Sequence, residues 1–247
     1  MVHSAGIGLA VCFQHRVKPA GLALRALVRG GGLGTFTGGA VTVPWWRLPS
    51  YYDEPGRGSW ARDGGGVLIT QAIHTLDLFV SVVGAPERVR ATASRVVQPM
   101  EAEDTIAGVL DYGDVLVPVH ATVAAYPGRE EELWVSGTAG TALLRGPDLV
   151  RYVSPGAAPE TIMVDDRSGP PGEAARARPV AGAGSTAVDP SAMPTAWHRS
   201  LLVDAIESFA TGREPAASGA SALVTQRVVG AMYRAARSGD WETVGSG

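Results

Sequence analysis

The sequence predicts an α+β fold: a largely antiparallel open β-sheet with helices packed on one face, preceded by a separate strand and helix. Three observations carry this prediction. The middle of the chain alternates apolar and polar residues in short runs, joined by turns such as Tyr112-Gly113-Asp114 and Gly137-Thr138-Ala139-Gly140. That is the pattern of antiparallel strands with one covered face. Apolar helical stretches stand before and after those runs. Of 247 residues, 45% are apolar and 18% charged, enough for a sizeable core and too few charges for a disordered chain.

The elements follow in order. Residues 8–13 (Leu9, Ala10, Val11, Cys12, Phe13) read as a short buried strand ending in Gln14, His15 and Arg16. Pro19 then opens a helix, where its missing N–H costs nothing. That helix carries Leu22, Leu24, Leu27 and Val28 and stops at Gly30. A strand is predicted over residues 35–46. Residues 48–63 form a loop rich in proline, glycine, aromatic and guanidinium groups, of the kind that lines ligand sites or packs as a structural lid. Gly64, Gly65 and Gly66 lead into a helix over residues 67–83. Strands are predicted over 88–97, 105–112, 115–125, 132–136, 141–144 and 149–153. Residues 154–194, dominated by Pro, Gly, Ala and Ser, read as a long surface excursion. Two helices close the chain, over 197–211 and about 218–238; the first sets Leu201, Leu202, Ala205, Ile206 and Phe209 on one face.

Composition excludes several functions. The net charge is -3, so no basic excess points to nucleic acid or an anionic membrane. The most apolar stretch, residues 67–84, contains Thr70, Gln71, His74 and Asp77 and is too polar to lie in hydrocarbon. Cys12 is the one cysteine; it permits no internal disulfide and fits a cytoplasmic setting. Lys18 is the only lysine and follows no glycine, which removes a phosphate-loop lysine. No Gly-x-Ser-x-Gly elbow is present. Gly182, Gly184 and Ala187 match a dinucleotide glycine pattern, but no apolar strand precedes them and Pro190 follows, so the context is wrong. His3, His15, His120 and His198 show no ligand spacing, and no metal site is expected.

The helix at 67–83 carries the chemistry. It is apolar nearly all round, yet Thr70, His74, Asp77 and Ser81 recur at spacings that place them on one face. Unpaired buried polar groups cost about 1–3 kcal/mol each, so this stripe must meet water, a ligand or internal partners. His74 is the natural acid–base group, and Asp77 is one turn away to orient it. The other reading is a core histidine satisfied by Asp77, with no chemistry.

Three blocks make the chain resemble the Gfo/Idh/MocA family of oxidoreductases: residues 11–16 with Pro19, Gly32 and Gly34; residues 64–77 with His74 and Asp77; and the terminal helix pair, with Gly212 to Pro215 between its members. The resemblance implies that residues 1–16 hold the last strand of a largely missing Rossmann domain. Residues 17–247 would be a substrate and oligomerisation domain. It implies NAD or NADP as cofactor, with Gln14 and Arg16 at the cofactor edge of a cleft. His74, with Thr70, would exchange a proton with the reacting hydroxyl of a sugar or polyol while hydride passes to the nicotinamide. Arg47, Tyr51, Tyr52, Trp60, Arg62 and Asp77 would bind the substrate. Family members pair through the open face of the sheet, so a homo-oligomer is implied. The glycine fingerprint and the family's catalytic lysine have no counterpart, and Thr70 stands where an aspartate is common. The chain is therefore expected to be inactive alone and to need a separate Rossmann-domain partner; the alternative is a dimerisation or sugar-binding module. Residues 1–16, lacking their natural neighbours, are expected to be poorly anchored or paired differently.

Overall fold

The computed structural model describes residues 7–146, 148–152, 160–162 and 195–245. Its centre is one sheet in the order β8-β7-β6-β5-β1-β4-β3-β2-β9. The strands are β1 (Phe36–Pro44), β2 (Arg88–Ser94), β3 (Thr105–Asp111), β4 (Leu116–Thr122), β5 (Glu132–Gly137), β6 (Gly140–Arg145), β7 (Asp148–Tyr152), β8 (Glu160–Ile162) and β9 (Glu242–Thr243). All neighbours are antiparallel except β1 and β4, which run parallel with Val41 opposite Val119. The strands predicted from alternation are therefore present. β8 lies within the predicted excursion, and β9 was not expected; at two or three residues neither offers a period to read. The rest of 154–194, including Gly182 to Ala187, lies outside the described residues.

Alternation decides which face is covered. On β4, Val117, Val119 and Ala121 are buried, while Leu116, Pro118 and His120 are exposed. The buried side meets α1 (Pro19–Arg29), α3 (Ile73–Val83) and α5 (Gly219–Ser238). Gly39 on β1 is where α3 comes closest: a Cβ there would stand 2.6 Å from the Phe79 ring. Phe79 is fully buried and meets Phe36 and Tyr112 edge to face, at centroid distances of 6.4 and 6.5 Å. The stretch Trp60–Val83 is long and apolar enough to cross a membrane by composition, but most of it lies inside this fold. That burial is what a core helix requires.

Two expectations are corrected. Residues 8–13 are not a buried strand. Their backbone is held by one bridge, Ala10 to Ser218, with Val11 N–H donating to Ala217 C=O and Gly219 N–H to Leu9 C=O. Ile7 and Leu9 are exposed. The segment has no sheet neighbour to bury its apolar side chains, so it leans on the loop before α5 instead. The helix α4 (Thr195–Thr211) buries Leu201, Ala205 and Ser208, whereas Leu202, Ile206 and Phe209 are exposed. Its apolar stripe is broader than the strip the described residues cover.

Candidate functional site

The predicted helix at 67–83 begins with a π-turn, Leu68–Ala72, before α3. Such π-turns are rare and often sit at functional sites. Glu103 anchors the start. It accepts from Gly66 N–H at 3.0 Å, Leu68 N–H at 3.1 Å and Tyr233 Oη at 2.9 Å. Thr70 is half-buried, and its hydroxyl donates to Gly66 C=O at 2.6 Å. It is thus turned back on its own helix.

His74 follows one turn later and is half-buried. Its Nδ1 is buried and has no hydrogen-bond partner among the described residues. The expected tie to Asp77 is absent because Asp77 is taken. Asp77 is fully buried and receives Arg16 in a two-pronged pair, Nε to Oδ2 at 2.7 Å and Nη2 to Oδ1 at 2.6 Å, plus Thr225 Oγ1 at 2.7 Å. Arg16 Nη1 also donates to Ser221 Oγ at 2.7 Å. Burial pushes the Asp77 carboxyl up, against the pull of Arg16 and Thr225. Arg16 and Asp77 are therefore a structural pair with no surface to offer, and neither faces a cofactor or substrate in this structure. Gln14, on the 3-10 turn Gln14–Arg16, is likewise buried. Neither residue expected at the cofactor edge fits the binding of a dinucleotide.

The structure instead sets His15 beside His74, with Lys18 and His198 close enough to act on its charge and Trp197 against Lys18. The His15 ring lies 5.6 Å from the His74 ring and that of Phe13 lies 6.2 Å away. Lys18 Nζ stands 3.8 Å above the Trp197 ring and 3.9 Å from Glu131 Oε1. Burial lowers the His74 imidazole from its ordinary 6.5 to about 4, and the charges of Lys18 and His198 add to the effect. Burial, Lys18 and His74 push His15 the same way. None of these four neighbours was chosen from the sequence as a site residue. They come from two stretches far from His74 along the chain, and the packing of the 3-10 turn against α3 and α4 brings those stretches together. Among the described residues no three His, Cys, Asp or Glu side chains converge to hold a metal.

The loop at 48–63 is knit to itself and to other parts of the fold. Arg47 is buried, with its guanidinium 4.8 Å from the Trp45 ring and 5.7 Å from that of Tyr51. Tyr51 and Tyr52 meet edge to face at 5.1 Å, and burial pushes the Tyr52 phenol up. Glu54 holds both Arg57 and Arg62, the latter at 2.5 Å. Trp60, on the short helix α2 (Trp60–Asp63), rests on Tyr233 at 5.0 Å. The contacts of these residues run among themselves and to Trp45, Glu54, Pro55, Gln98, Glu101 and Tyr233.

The lowered imidazole has a pH consequence. An unfolded histidine takes its proton near 6.5, whereas folded His74 takes it only near 4. The unfolded state thus binds more protons between those values, and stability must fall as the pH drops through that window. We expect the His74 resonances to titrate near 4 in proton NMR, and acid destabilisation over this window to be weaker in His74→Leu. A midpoint near 6.5 would contradict the burial.

Residues 22–143 match the family described as GFO/IDH/MocA C-terminal domain. No curated protein matches the chain. Among solved structures, the fold is shared with the WlbA dehydrogenase of Bordetella pertussis in complex with NADH and UDP-GlcNAcA. That likeness has a TM-score of 0.75 and 23% identity, and covers 99% of this chain and 67% of the other. An oxidoreductase of Agrobacterium radiobacter in complex with NAD+, L-tartaric acid and magnesium gives 0.73 and 21%, covering 98% and 66%. Levoglucosan dehydrogenase in complex with NADH and levoglucosan gives 0.77 and 18%, covering 99% and 68%. The chain thus spans about two thirds of the length of these structures.

Proposed function

We propose that this chain, which carries a GFO/IDH/MocA C-terminal domain at residues 22–143, is the substrate-binding part of an NAD-dependent oxidoreductase acting on a sugar or polyol. The observation that carries this reading is His74: a half-buried imidazole just beyond a π-turn, with Nδ1 unpartnered among the described residues and the ring held neutral at pH 7. A neutral imidazole accepts a proton, which is what a hydroxyl must lose as its carbon is oxidised. NADH or NAD+ accompanies a sugar or sugar-like acid in the neighbouring structures, which supports the class.

Gln14 and Arg16 are buried and Arg16 is committed to Asp77, so neither is free to meet a dinucleotide. In this reading the cofactor sits on a separate Rossmann-type unit. We place that unit on the apolar edge around Ile7 and Leu9. These two residues and Phe209 of α4 line an open groove of about 890 Å³, and Leu202 and Ile206 of the same helix are exposed. The outer sheet face, with Leu116 and His120 exposed, suits pairing with a second copy, and sedimentation of the purified chain checks it. The function itself is tested by titrating the chain with NADH and with glucose. We expect no micromolar NADH affinity and a glucose-dependent shift of the His74 resonances. Micromolar NADH binding would overturn the cofactor assignment; His74 resonances indifferent to every sugar or polyol would remove His74 from the site.

A further inference from the structure

We infer that His15 is a positioning residue for His74: its ring, carried on the buried 3-10 turn, holds the His74 imidazole in the orientation that a substrate hydroxyl requires. This role rests on His74 being the proton acceptor proposed above, and it names what keeps that acceptor in place.

A base must be aimed as well as unprotonated. The torsion that turns an imidazole about its Cβ–Cγ bond is broad, so a ring is commonly oriented by a hydrogen bond at one of its nitrogens. His74 Nδ1 has no such partner among the described residues, and Asp77 is taken by Arg16. Ring contacts remain. The His15 ring lies 5.6 Å from that of His74 with the planes 38° apart, and the Phe13 ring meets His74 edge to face at 6.2 Å. Both separations are those of directly packed rings.

The turn that carries His15 is itself fixed. Arg16, next to His15 in sequence, grips Asp77 at two points. Asp77 follows His74 by three residues on α3, and helical residues three apart share a face. The Arg16–Asp77 pair therefore sets the register that puts His15 opposite His74. The Arg16 guanidinium also lies 5.5 Å from the Phe13 ring. From α1, Gly21 comes so close that a Cβ there would stand 2.1 Å from the His15 carbonyl oxygen; only glycine permits that approach. Val17 and Lys18 N–H both donate to Gln14 C=O at 3.2 Å and close the turn. Burial, with the charges of Lys18 and His74, holds the His15 imidazole neutral at pH 7. No second cation on this turn then opposes the proton that His74 receives.

Proton NMR of the full chain tests this. Nuclear Overhauser contacts between the His15 and His74 ring protons are expected in the unaltered chain. His15→Ala removes the wall. The His74 midpoint is then expected to rise from about 4 by at least about one pH unit as water reaches the ring. Glucose affinity, read from the same resonances, is expected to fall at least about fivefold as the ring loses its aim. His15→Phe, which restores a flat ring, is expected to bring both back. Gly21→Ala, which displaces the turn and alters neither ring, is expected to raise the midpoint as well. Lys18 and His198, the charges that act on His74, and the Arg16–Asp77 pair are unchanged in all three variants, so a moved midpoint reports the ring contact. Thermal melts report whether each variant has folded. Absence of contact between the two rings in the unaltered chain, or a midpoint unmoved in a folded His15→Ala or Gly21→Ala chain, would overturn the positioning role and leave the sugar site standing. So would a His15→Phe chain that behaves like His15→Ala. His74 resonances indifferent to glucose in the unaltered chain would remove His74 from the sugar site, and the role of His15 with it.

Discussion

Arg16→Met is expected to cost the fold about 3–5 kcal/mol, because it strands a buried charge. Asp77 is fully buried, and Arg16 supplies two of its hydrogen bonds, at 2.6 and 2.7 Å. Methionine fills much of the arginine volume but leaves the carboxylate with only Thr225. The same guanidinium holds Ser221 near the start of α5 and the carbonyl of Ala216 before it, so the loss spreads to the junction of three elements. The paired variant Arg16→Met with Asp77→Leu is expected to recover much of the deficit, since replacing both charges with apolar groups removes the uncompensated one. Urea unfolding of the single and double variants measures this. A single-variant loss under about 1 kcal/mol would show that the pair is solvated.

Removing the Glu103 carboxylate is expected to be nearly as damaging. Glu103→Ala leaves Gly66 N–H, Leu68 N–H and the Tyr233 hydroxyl without their acceptor, at about 1–3 kcal/mol for each group left unsatisfied. The helix of His74 starts there, so the His74 resonances should shift as well. Gly66→Ala attacks the same joint by another route, because a Cβ at that position would stand 1.8 Å from the Glu103 carbonyl oxygen. Burial pushes the Glu103 carboxyl up. A folded-state pKa above the unfolded one means that its contribution is complete in acid and declines as the pH rises through the folded value. Glu103→Gln, which cannot ionise, should remove that decline. Urea unfolding of Glu103→Ala checks the stability loss, and unchanged stability with unmoved His74 resonances would contradict the anchoring role.

The sheet was legible because one covered face forces a period of two. Val117, Val119 and Ala121 turn inward while Leu116, Pro118 and His120 turn outward, and no other element explains that pattern. The helix of His74 was legible from its apolar run, but its π-turn was not, since composition does not encode which carbonyl an N–H will meet. Residues 8–13 misled for a physical reason: an apolar run shows a demand for burial, and here Phe13 meets it while Leu9 stays exposed. The face of α4 misled in the same way, as Leu202 and Ile206 have the pattern of core residues and stand in solvent.

The site was legible only in part. His74 stood out because a polar stripe on an apolar helix has to be accounted for. Arg16 and Asp77 also stood out, but they satisfy each other across 61 residues of chain. Lys18, Trp197 and His198 did not stand out, because nothing local links them to His74. They approach it only because α4 packs against the 3-10 turn ahead of α1, a tertiary event with no mark in spacing.

The account turns on whether His74 presents its ring to a small molecule. A crystal structure of the chain soaked with D-glucose tests this most directly. It should show a ligand oxygen within about 3.2 Å of a His74 imidazole nitrogen. A ring with both nitrogens bonded to protein atoms, and the sugar bound elsewhere or not at all, would contradict it.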